Sequence, residues 1–352
     1  MNIEILRTDK PSALPEGELG FGHHFTDHMA LCEYDNGRWL RPRIVPRAPL
    51  ALDPAASGLQ YGQSIFEGLK VFRGPSGKPH IFRPADHGKR FNASAVRLCM
   101  PEIDAELWLE LARTLVRVDE RFIPTQPNTA LYLRPTMIGT EGFLGVRPAR
   151  KCLFYIVGSP VGGYWGQGGP RAVRLWVEEH YVRAVRGGTG FAKTGGNYAA
   201  SLKAAEEAKK RGLDQVLWLD GVNRTHVEEI GTMNLFVRTK EGLLTPPLGD
   251  TILGGITRDT VLTLAREMGI AAQERPIALA ELKQWSERGE LLEMFGAGTA
   301  AVITPIAELV SEHGSIQVGS GKAGELGTRL LQEIGAVQRG ESPDPHGWRI
   351  AV

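Results

Sequence analysis

Clustered glycines constrain this chain more than any other feature of its sequence. Glycine accounts for 43 of the 352 residues, and the glycines form strings, as in 158–170 and 187–196, instead of scattering evenly. Glycine is the residue that suits tight turns and a close approach of the backbone to a ligand. The first string reads GSPVGGYWGQGGP, which suits neither a helix nor a strand. We therefore expect turns or ligand contacts at both strings.

The length and the first glycine string together define the expected domains. At roughly 150 residues per domain, 352 residues correspond to about two domains. We place the boundary at the loop 159–170, which leaves a smaller N-terminal α+β domain at 1–158 and a larger C-terminal domain at 171–352. A long surface loop inside one domain would show the same residues.

Hydrophobic periodicity predicts a mixed α/β fold, of the α+β kind, without a regular βαβ alternation. Strand-like segments surround two amphipathic helices at 85–98 and 106–118 in the first half. In the second half, strands are interspersed with a helix at 197–211 and with another helix for which Thr257 is the expected N-cap.

Composition argues against several classes of function. The chain has 41 Lys and Arg against 40 Asp and Glu, so it lacks the basic field that nucleic-acid binding needs. Residues 1–11 hold no sustained apolar run, and glycines, threonines and a proline interrupt the apolar stretch 294–307. The three cysteines lack the spacing of a zinc or redox pair. We expect a cytoplasmic protein with neither a nucleic-acid nor a membrane partner.

The histidines near the N-terminus do not predict a metal centre. His23, His24 and His28 lie close to Asp27, but the segment has the pattern of a strand, and no second cluster of ligands accompanies it. We expect no metal.

Lys193 is the candidate nucleophile. It lies alone among glycines and small residues, whereas Lys203, Lys209 and Lys210 follow one another along a charged helix. The pKa of a lysine in a tight, desolvated loop can fall, and covalent catalysis by an amine requires this. A solvated loop lysine is the competing interpretation.

Three further segments are candidates with an ordinary alternative. Gly255, Ile256 and Thr257 form a glycine turn at an expected helix start, which suits a phosphate or is a simple helix start. The run FGAGTA at 295–300 leaves room for a ligand or is a bent, buried strand. Glu228 and Glu229 are neighbours on a predicted strand, so at most one enters a given site, and we expect the other in solvent.

Eight short motifs are spread over nearly the whole chain. They are FTDHM at 25–29, QSIFEGLK at 63–70, YLRP at 132–135, LGV at 144–146, KTGGNY at 193–198, EIGTMNLF at 229–236, TPP at 245–247 and GITR at 255–258. Their order and approximate spacing are those of the class IV aminotransferases, and the chain resembles the branched-chain amino acid aminotransferases of that family.

The resemblance implies a pyridoxal 5'-phosphate enzyme of fold type IV, with the cofactor at the interface of two domains. Lys193 would bind the cofactor covalently and, once displaced by substrate, move a proton between the substrate Cα and the cofactor C4'. Glu229 would pair with the pyridine nitrogen, and Tyr198 would hydrogen-bond the ring 3'-oxygen. The other residues implied at the cofactor and its phosphate are Arg90, Thr232, Ile256, Thr257 and Thr299.

The implied reaction is the reversible transfer of the amino group of leucine, isoleucine or valine to 2-oxoglutarate, which yields glutamate. Arg134 would bind the distal carboxylate of glutamate, and N–H groups around Thr299 and Ala300 would bind the α-carboxylate. The loop 159–170 could close over the site. The implied apolar walls are Phe21, Tyr61, Phe66, Tyr132 and Tyr164, with Leu144 and Val146 contributed by the partner subunit of a homodimer.

Relatives within the same fold remain alternatives. D-amino acid aminotransferases and aminodeoxychorismate lyases share the lysine and the glutamate, and a non-catalytic dimeric scaffold is a remote third possibility. The YLRP stretch at 132–135 and the chain length favour the branched-chain enzyme. Ala301 and Thr304 stand where mammalian relatives carry a Cys-x-x-Cys pair, so we expect no thiol-based control.

Overall fold

A computed structural model describes residues 2–163 and 171–352, which form two compact units. The first unit holds 2–163 together with Ala192–Gly195 and Ala336–Val352. The second holds 171–191 and Gly196–Gly335. The candidate lysine therefore belongs to the first unit. Residues 158–161, which were expected in turns, instead end the strand Lys151–Val161, because they pair with 130–133 of the neighbouring strand. The domain boundary expected at 159–170 stays a prediction, because 164–170 lie outside the described residues.

One mixed sheet forms the framework of the first unit. Its strands are β1 (Glu4–Ile5), β2 (His28–Asp35), β3 (Arg38–Trp39), β4 (Arg43–Pro46), β5 (Ser64–Phe66), β6 (Leu69–Arg73), β7 (Pro79–Phe82), β8 (Ala130–Gly139), β9 (Lys151–Val161) and, near the C-terminus, β19 (Arg349–Ala351). The strand order is β1-β4-β2-β9-β8-β6-β7-β19, with β3 on β2 and β5 on β8. Pairing is antiparallel except between β1 and β4.

Helices cover the core of the first unit. They are α1 (Ser57–Gln60), α2 (Pro84–Arg97), α3 (Ala105–Val118) and a 3-10 turn at Glu120–Phe122. Pro84 suits the first turn of α2, and the Asp104 side chain caps α3 by accepting two backbone N–H groups. Phe91, Trp108 and Phe154 pack their rings 5.1–5.9 Å apart, which ties both helices to the sheet.

A second sheet forms the framework of the second unit. Its strands are β10 (Val173–Glu178), β11 (Gln215–Leu219), β12 (Val227–Ile230), β13 (Met233–Thr239), β14 (Leu243–Thr245), β15 (Ala272–Glu274), β16 (Leu291–Gly298), β17 (Val302–Ser311) and β18 (Gly314–Gln317). The order is β12-β11-β10-β17-β16-β13-β14-β15, with β18 on β17 and a further pairing of β12 with β13. Phe236 on β13 stacks on Phe295 on β16 at 5.2 Å.

The remaining helices are α4 (Gly195–Lys210), α5 (Ile256–Glu267), α6 (Leu279–Glu287) and α7 (Glu325–Arg339). The predicted mixed α/β class is confirmed, but Thr257 is not the N-cap of α5. The cap is Gly255, which is extended, and helical backbone begins at Ile256. Only glycine fits at 255, because a Cβ there would lie 1.9 Å from Asn234 Oδ1. Across 2–163 and 171–352, no helix is both long and apolar enough to cross a membrane.

Candidate active site

Hydrogen bonds fix the backbone around Lys193 within the first unit. The N–H of Lys193 donates to Ser94 Oγ at 2.9 Å, and its C=O accepts from the N–H of Phe66 at 3.0 Å. Thr194 Oγ1 donates to the C=O of Ser64 at 2.7 Å. The lysine therefore lies in a segment bound to β5 and α2, and not in an unattached surface loop.

The surroundings of the Lys193 amine change its chemistry. The side chain is half-buried, and Nζ lies 4.8 Å from the centre of the Phe66 ring. Desolvation, reinforced by the positive charge of Arg90, lowers the pKa of Lys193 to about 8. About a tenth of the amines are then neutral at pH 7, against less than about a thousandth for an ordinary lysine. This supports the desolvated interpretation of Lys193.

A buried ionic cluster lies beside Lys193, and the motifs did not assign it. Glu67 is fully buried, with Arg90 Nε and Nη2 at 2.6 Å and 2.9 Å from its two oxygens and His87 Nδ1 at 2.7 Å. Burial raises the pKa of Glu67, but Arg90 and the hydrogen bond to His87 outweigh it and hold that pKa well below its usual range. The phosphate role implied for Arg90 stays a prediction, since Glu67 engages two of its donor atoms.

Aromatic rings and an arginine surround the same lysine. The rings of Phe21 and Tyr132 meet edge to face at 5.0 Å, and Arg134 Nη2 donates to Tyr132 Oη at 2.9 Å. The Arg134 guanidinium lies 4.8 Å from the Phe66 ring centre. The structure thus brings five of the predicted residues of the first unit together: Phe21, Phe66, Tyr132, Arg134 and Lys193.

One atom of this cluster points to a ligand, and one glycine is needed for its packing. Arg134 Nε is buried and has no hydrogen-bond partner among the described residues. A buried N–H without an acceptor is costly, so an anionic group from a ligand fits there. Gly68 is also required, because a Cβ at this position would lie 1.7 Å from Tyr132 Oη.

Three other implied pocket residues, Tyr61, Leu144 and Val146, are exposed. The Tyr61 hydroxyl donates to the C=O of Leu144, and the Leu144 side chain is 65% exposed. Val146 is 87% exposed. Nothing in the described part of the chain covers these two apolar side chains. Tyr164 lies outside the described residues.

Glu229 is the centre of a polar network in the second unit. Its side chain is buried, and Oε2 lies 2.7 Å from Arg183 Nε. Oε1 accepts from the N–H of Leu253 at 2.8 Å and from Asn234 Nδ2 at 3.2 Å. The carboxylate is therefore held in one orientation on β12.

Glu228 contradicts the expectation of a solvated neighbour. It is only 8% exposed, because all four residues of β12 are buried, so both faces of this strand are covered. Thr251 Oγ1 donates to Glu228 Oε1 at 2.6 Å. Burial raises the pKa of Glu228.

The implied phosphate and carboxylate residues of the second unit lie at turns. Ile256 and Thr257 begin α5, where Gly255 supplies no side-chain cap. Thr299 and Ala300 lie between β16 and β17, shortly before Val302, whose φ of 61° is strained for a β-branched residue. Such strain accompanies functional turns. Two further residues were implied at the cofactor. Thr232 is exposed and follows β12, and Tyr198 is half-buried in the first turn of α4.

Sequence reasoning missed several residues that hold these groups in place. The sequence could have indicated Glu67, since it is the single acidic residue of the mainly apolar segment 65–72 and lies within the motif QSIFEGLK at 63–70. Asn234 lies within the motif at 229–236, although that motif gave it no role. The others have no sequence pattern that marks them: Ser94, His87 and Arg183.

Comparisons with known proteins agree over most of the chain. The family model described as amino-transferase class IV matches residues 64–309. The branched-chain-amino-acid transaminase 1 of Bacillus subtilis (strain 168) is 46% identical over 335 residues, which cover 95% of this chain and 94% of that protein.

Solved structures give the same result. The branched-chain amino acid aminotransferase of Escherichia coli superimposes with a TM-score of 0.75 at 28% identity, covering 92% of this chain and 98% of that one. A branched-chain amino acid aminotransferase from T.th., complexed with N-(5'-phosphopyridoxyl)-L-glutamate, has a TM-score of 0.71 at 27% identity, covering 91% of this chain and 97% of that one.

Proposed function

The chain belongs to the class IV aminotransferase family, as its motifs predicted, and we propose that it transfers the amino group of leucine, isoleucine or valine to 2-oxoglutarate, reversibly. One observation carries the proposal: Lys193, with its pKa lowered to about 8, lies in the same cluster as Arg134, whose buried Nε has no acceptor among the described residues. Relatives of this activity align over nearly their whole length.

Pyridoxal 5'-phosphate, the cofactor of the family, supplies an electron sink for negative charge that develops at the substrate Cα. The donor set fits this group. Lys193 is an amine of lowered pKa, and Glu229 is a carboxylate held by Arg183. Helix α5 begins without a side-chain cap, and a helix N-terminus favours an anion such as phosphate. We assign the phosphate to Arg90, the N–H groups of Ile256 and Thr257, and Thr299, and the ring 3'-oxygen to Tyr198.

Lys193 Nζ acts as base and acid. Lys193 would hold the cofactor when it is bound, and its lowered pKa would supply the neutral amine that accepts the proton from the substrate Cα. The Lys193 backbone donates to Ser94 Oγ and accepts from the N–H of Phe66, and these two hydrogen bonds would hold the segment while the side chain moves.

Glu229 holds the proton on the ring nitrogen. Arg183 and the N–H of Leu253 fix the orientation of this carboxylate. It would therefore need no rearrangement to accept a hydrogen bond from the protonated ring nitrogen.

The substrate pocket has to accept both an aliphatic side chain and a carboxylate. Phe21, Phe66 and Tyr132 provide apolar ring surface for leucine, isoleucine and valine. Arg134 Nε provides the donor for the distal carboxylate of glutamate and 2-oxoglutarate. N–H groups around Thr299 and Ala300 are assigned to the α-carboxylate.

We also propose that the active form is a cytoplasmic homodimer. The exposed Leu144 and Val146 support this assembly, since a partner subunit would cover them. Thr232 and Tyr61 complete the proposed site, the first at the cofactor and the second at the substrate.

The absorption spectrum of the purified protein tests the proposed function. We expect a visible cofactor band that fades on addition of leucine and returns on addition of 2-oxoglutarate. A band that ignores leucine and responds to a D-amino acid would identify a D-amino acid aminotransferase instead. Absence of a band after addition of pyridoxal 5'-phosphate would refute the proposal.

A further inference from the structure

The backbone of one short segment in the second unit contacts Glu229 and two residues bound to it. The C=O of Thr251 accepts from Arg183 Nη1 at 2.6 Å, and Arg183 is the ion-pair partner of Glu229. The N–H of Leu253 donates to Glu229 Oε1 at 2.8 Å, and its C=O accepts from Asn234 Nδ2 at 2.8 Å. The position of Glu229 therefore depends on where the backbone from Thr251 to Leu253 lies.

A side-chain hydrogen bond anchors this segment to β12. Thr251 Oγ1 donates to Glu228 Oε1 at 2.6 Å. Glu228 is adjacent to Glu229 in sequence, but alternation along the strand directs its side chain to the opposite face. Gly190 packs closely on the same segment, since a Cβ there would lie 2.7 Å from Thr251 Cα. The segment is thus held by tight packing and by Glu228.

The Thr251 hydroxyl is important to Glu228 in turn. Glu228 Oε2 is buried and has no hydrogen-bond partner among the described residues. Removal of the hydroxyl would take away the donor to Oε1, so that neither carboxyl oxygen of Glu228 had this hydrogen bond, in a site from which water is largely excluded. Relief of that cost requires β12 or the Thr251 backbone to move, and Glu229 is attached to both.

We propose that Glu228 and Thr251 are positioning residues for transamination: their hydrogen bond fixes the backbone that aligns Arg183 and Glu229, and so keeps the Glu229 carboxylate where it holds the proton of the cofactor ring nitrogen. The inference rests on the proposed function. Neither residue is assigned a contact with substrate or cofactor, and both act through Glu229.

A double-mutant cycle tests the inference. Thr251→Val removes the hydroxyl and keeps the shape, and Thr251→Ser restores a hydroxyl. Each variant is made alone and with Glu229→Gln, and the dissociation constant for pyridoxal 5'-phosphate is measured by absorbance titration of the cofactor-free protein. We expect Thr251→Val to raise this constant about tenfold and Thr251→Ser to raise it by less than about twofold, as loss of one buried hydrogen bond predicts. In the Glu229→Gln background, Thr251→Val should have almost no further effect.

Turnover gives a second readout. Thr251→Val should lower kcat with leucine about tenfold and leave KM within about twofold, because the substrate contacts are intact. Glu228→Gln, whose amide oxygen still accepts from Thr251, should stay within about twofold of the parent protein, whereas Glu228→Leu should match Thr251→Val.

Two results would overturn the inference. One is that Thr251→Val weakens cofactor affinity by the same factor in the parent protein and in the Glu229→Gln variant, which is the behaviour of a purely structural residue. The other is a serine variant as impaired as the valine variant. Failure of the proposed function can be distinguished from failure of this inference. In that case the parent protein itself would bind pyridoxal 5'-phosphate without transaminating leucine, or would not bind it. Thermal melts of all variants report folding separately.

Discussion

Glu67 and Arg90 form a two-point ion pair, with Nε and Nη2 of the guanidinium 2.6 Å and 2.9 Å from the two carboxylate oxygens. The carboxylate is fully buried and also contacts His87 Nδ1 at 2.7 Å. Arg90 therefore has a fixed orientation on α2. Its positive charge adds to desolvation in lowering the pKa of Lys193, and Glu67 partly offsets that effect.

Glu67→Gln should destabilise the protein strongly. The change leaves the Arg90 guanidinium, only 12% exposed, without its counter-charge, and breaking such a buried pair costs about 3 to 5 kcal/mol. The matched control is Glu33→Gln, since Glu33 pairs with Arg43 at 2.7 Å but is 51% exposed, and its loss should cost less than about 1 kcal/mol. Urea unfolding followed by tryptophan fluorescence measures both. Equal losses for the two variants would contradict the importance of burial.

Lys193→Ala should abolish transamination while the fold is kept. The change removes the amine that we propose holds the cofactor and moves the Cα proton, and we expect a decrease in kcat of about a thousandfold or more. Lys203→Ala is the control, because Lys203 lies 61% exposed on α4 and pairs with Glu207 within the helix, at 2.9 Å. Circular dichroism should show both variants folded. Substantial turnover by the alanine variant at position 193 would refute the assigned mechanism.

The rate of cofactor incorporation should depend on pH through Lys193. Only the neutral amine attacks the cofactor aldehyde, so the rate should rise with pH and level off above the pKa of the lysine. The pKa of Lys193 is lowered to about 8 from 10.5, chiefly by desolvation. We therefore expect a midpoint near pH 8 when pyridoxal 5'-phosphate is mixed with cofactor-free protein in a stopped-flow absorbance experiment. A midpoint near that of an ordinary lysine would mean that the amine is solvated.

Gly68→Ala should impair binding of 2-oxoglutarate. A Cβ at this position would lie 1.7 Å from Tyr132 Oη and 2.6 Å from its Cζ, so the ring has to move and its hydrogen bond with Arg134 is lost. We expect KM for 2-oxoglutarate to rise about tenfold, which corresponds to the loss of one charge-assisted hydrogen bond. Gly249→Ala is the control, because a Cβ there meets nothing within 4 Å. An unchanged KM in the Gly68 variant would remove Tyr132 and Arg134 from the proposed pocket.

Val146→Asp should weaken self-association. Val146 is 87% exposed, so a charge at this position costs little in an isolated chain, but it would be buried at the proposed subunit contact. Val222→Asp is the control on another exposed valine, at 69%. Sedimentation velocity should show the first variant shifted towards monomer at concentrations where the second remains a dimer. If both variants sediment like the parent protein, Val146 lies outside the interface.

Local sequence patterns predict some elements of this fold correctly and others wrongly. The helices predicted at 85–98 and 106–118 are found at Pro84–Arg97 and Ala105–Val118, because local periodicity and turn residues decide their bounds. Thr257 was a wrong N-cap, since helical backbone already begins at Ile256, and residue type alone favoured threonine over glycine as the cap. Glu228 was expected in solvent, since alternation along a strand does not reveal that both faces of β12 are buried.

The sequence by itself determined the mixed α/β class, the family and the identity of Lys193 and Glu229 as the residues to examine, because short motifs in a fixed order survive as local patterns. Only the tertiary structure decided what holds them. Ser94, which binds the backbone of Lys193, is 99 residues away in sequence, and Arg183 reaches Glu229 from a different segment of the second unit. The pKa of an amine and the orientation of a carboxylate depend on burial and on nearby charges, and these arise only when distant segments pack together.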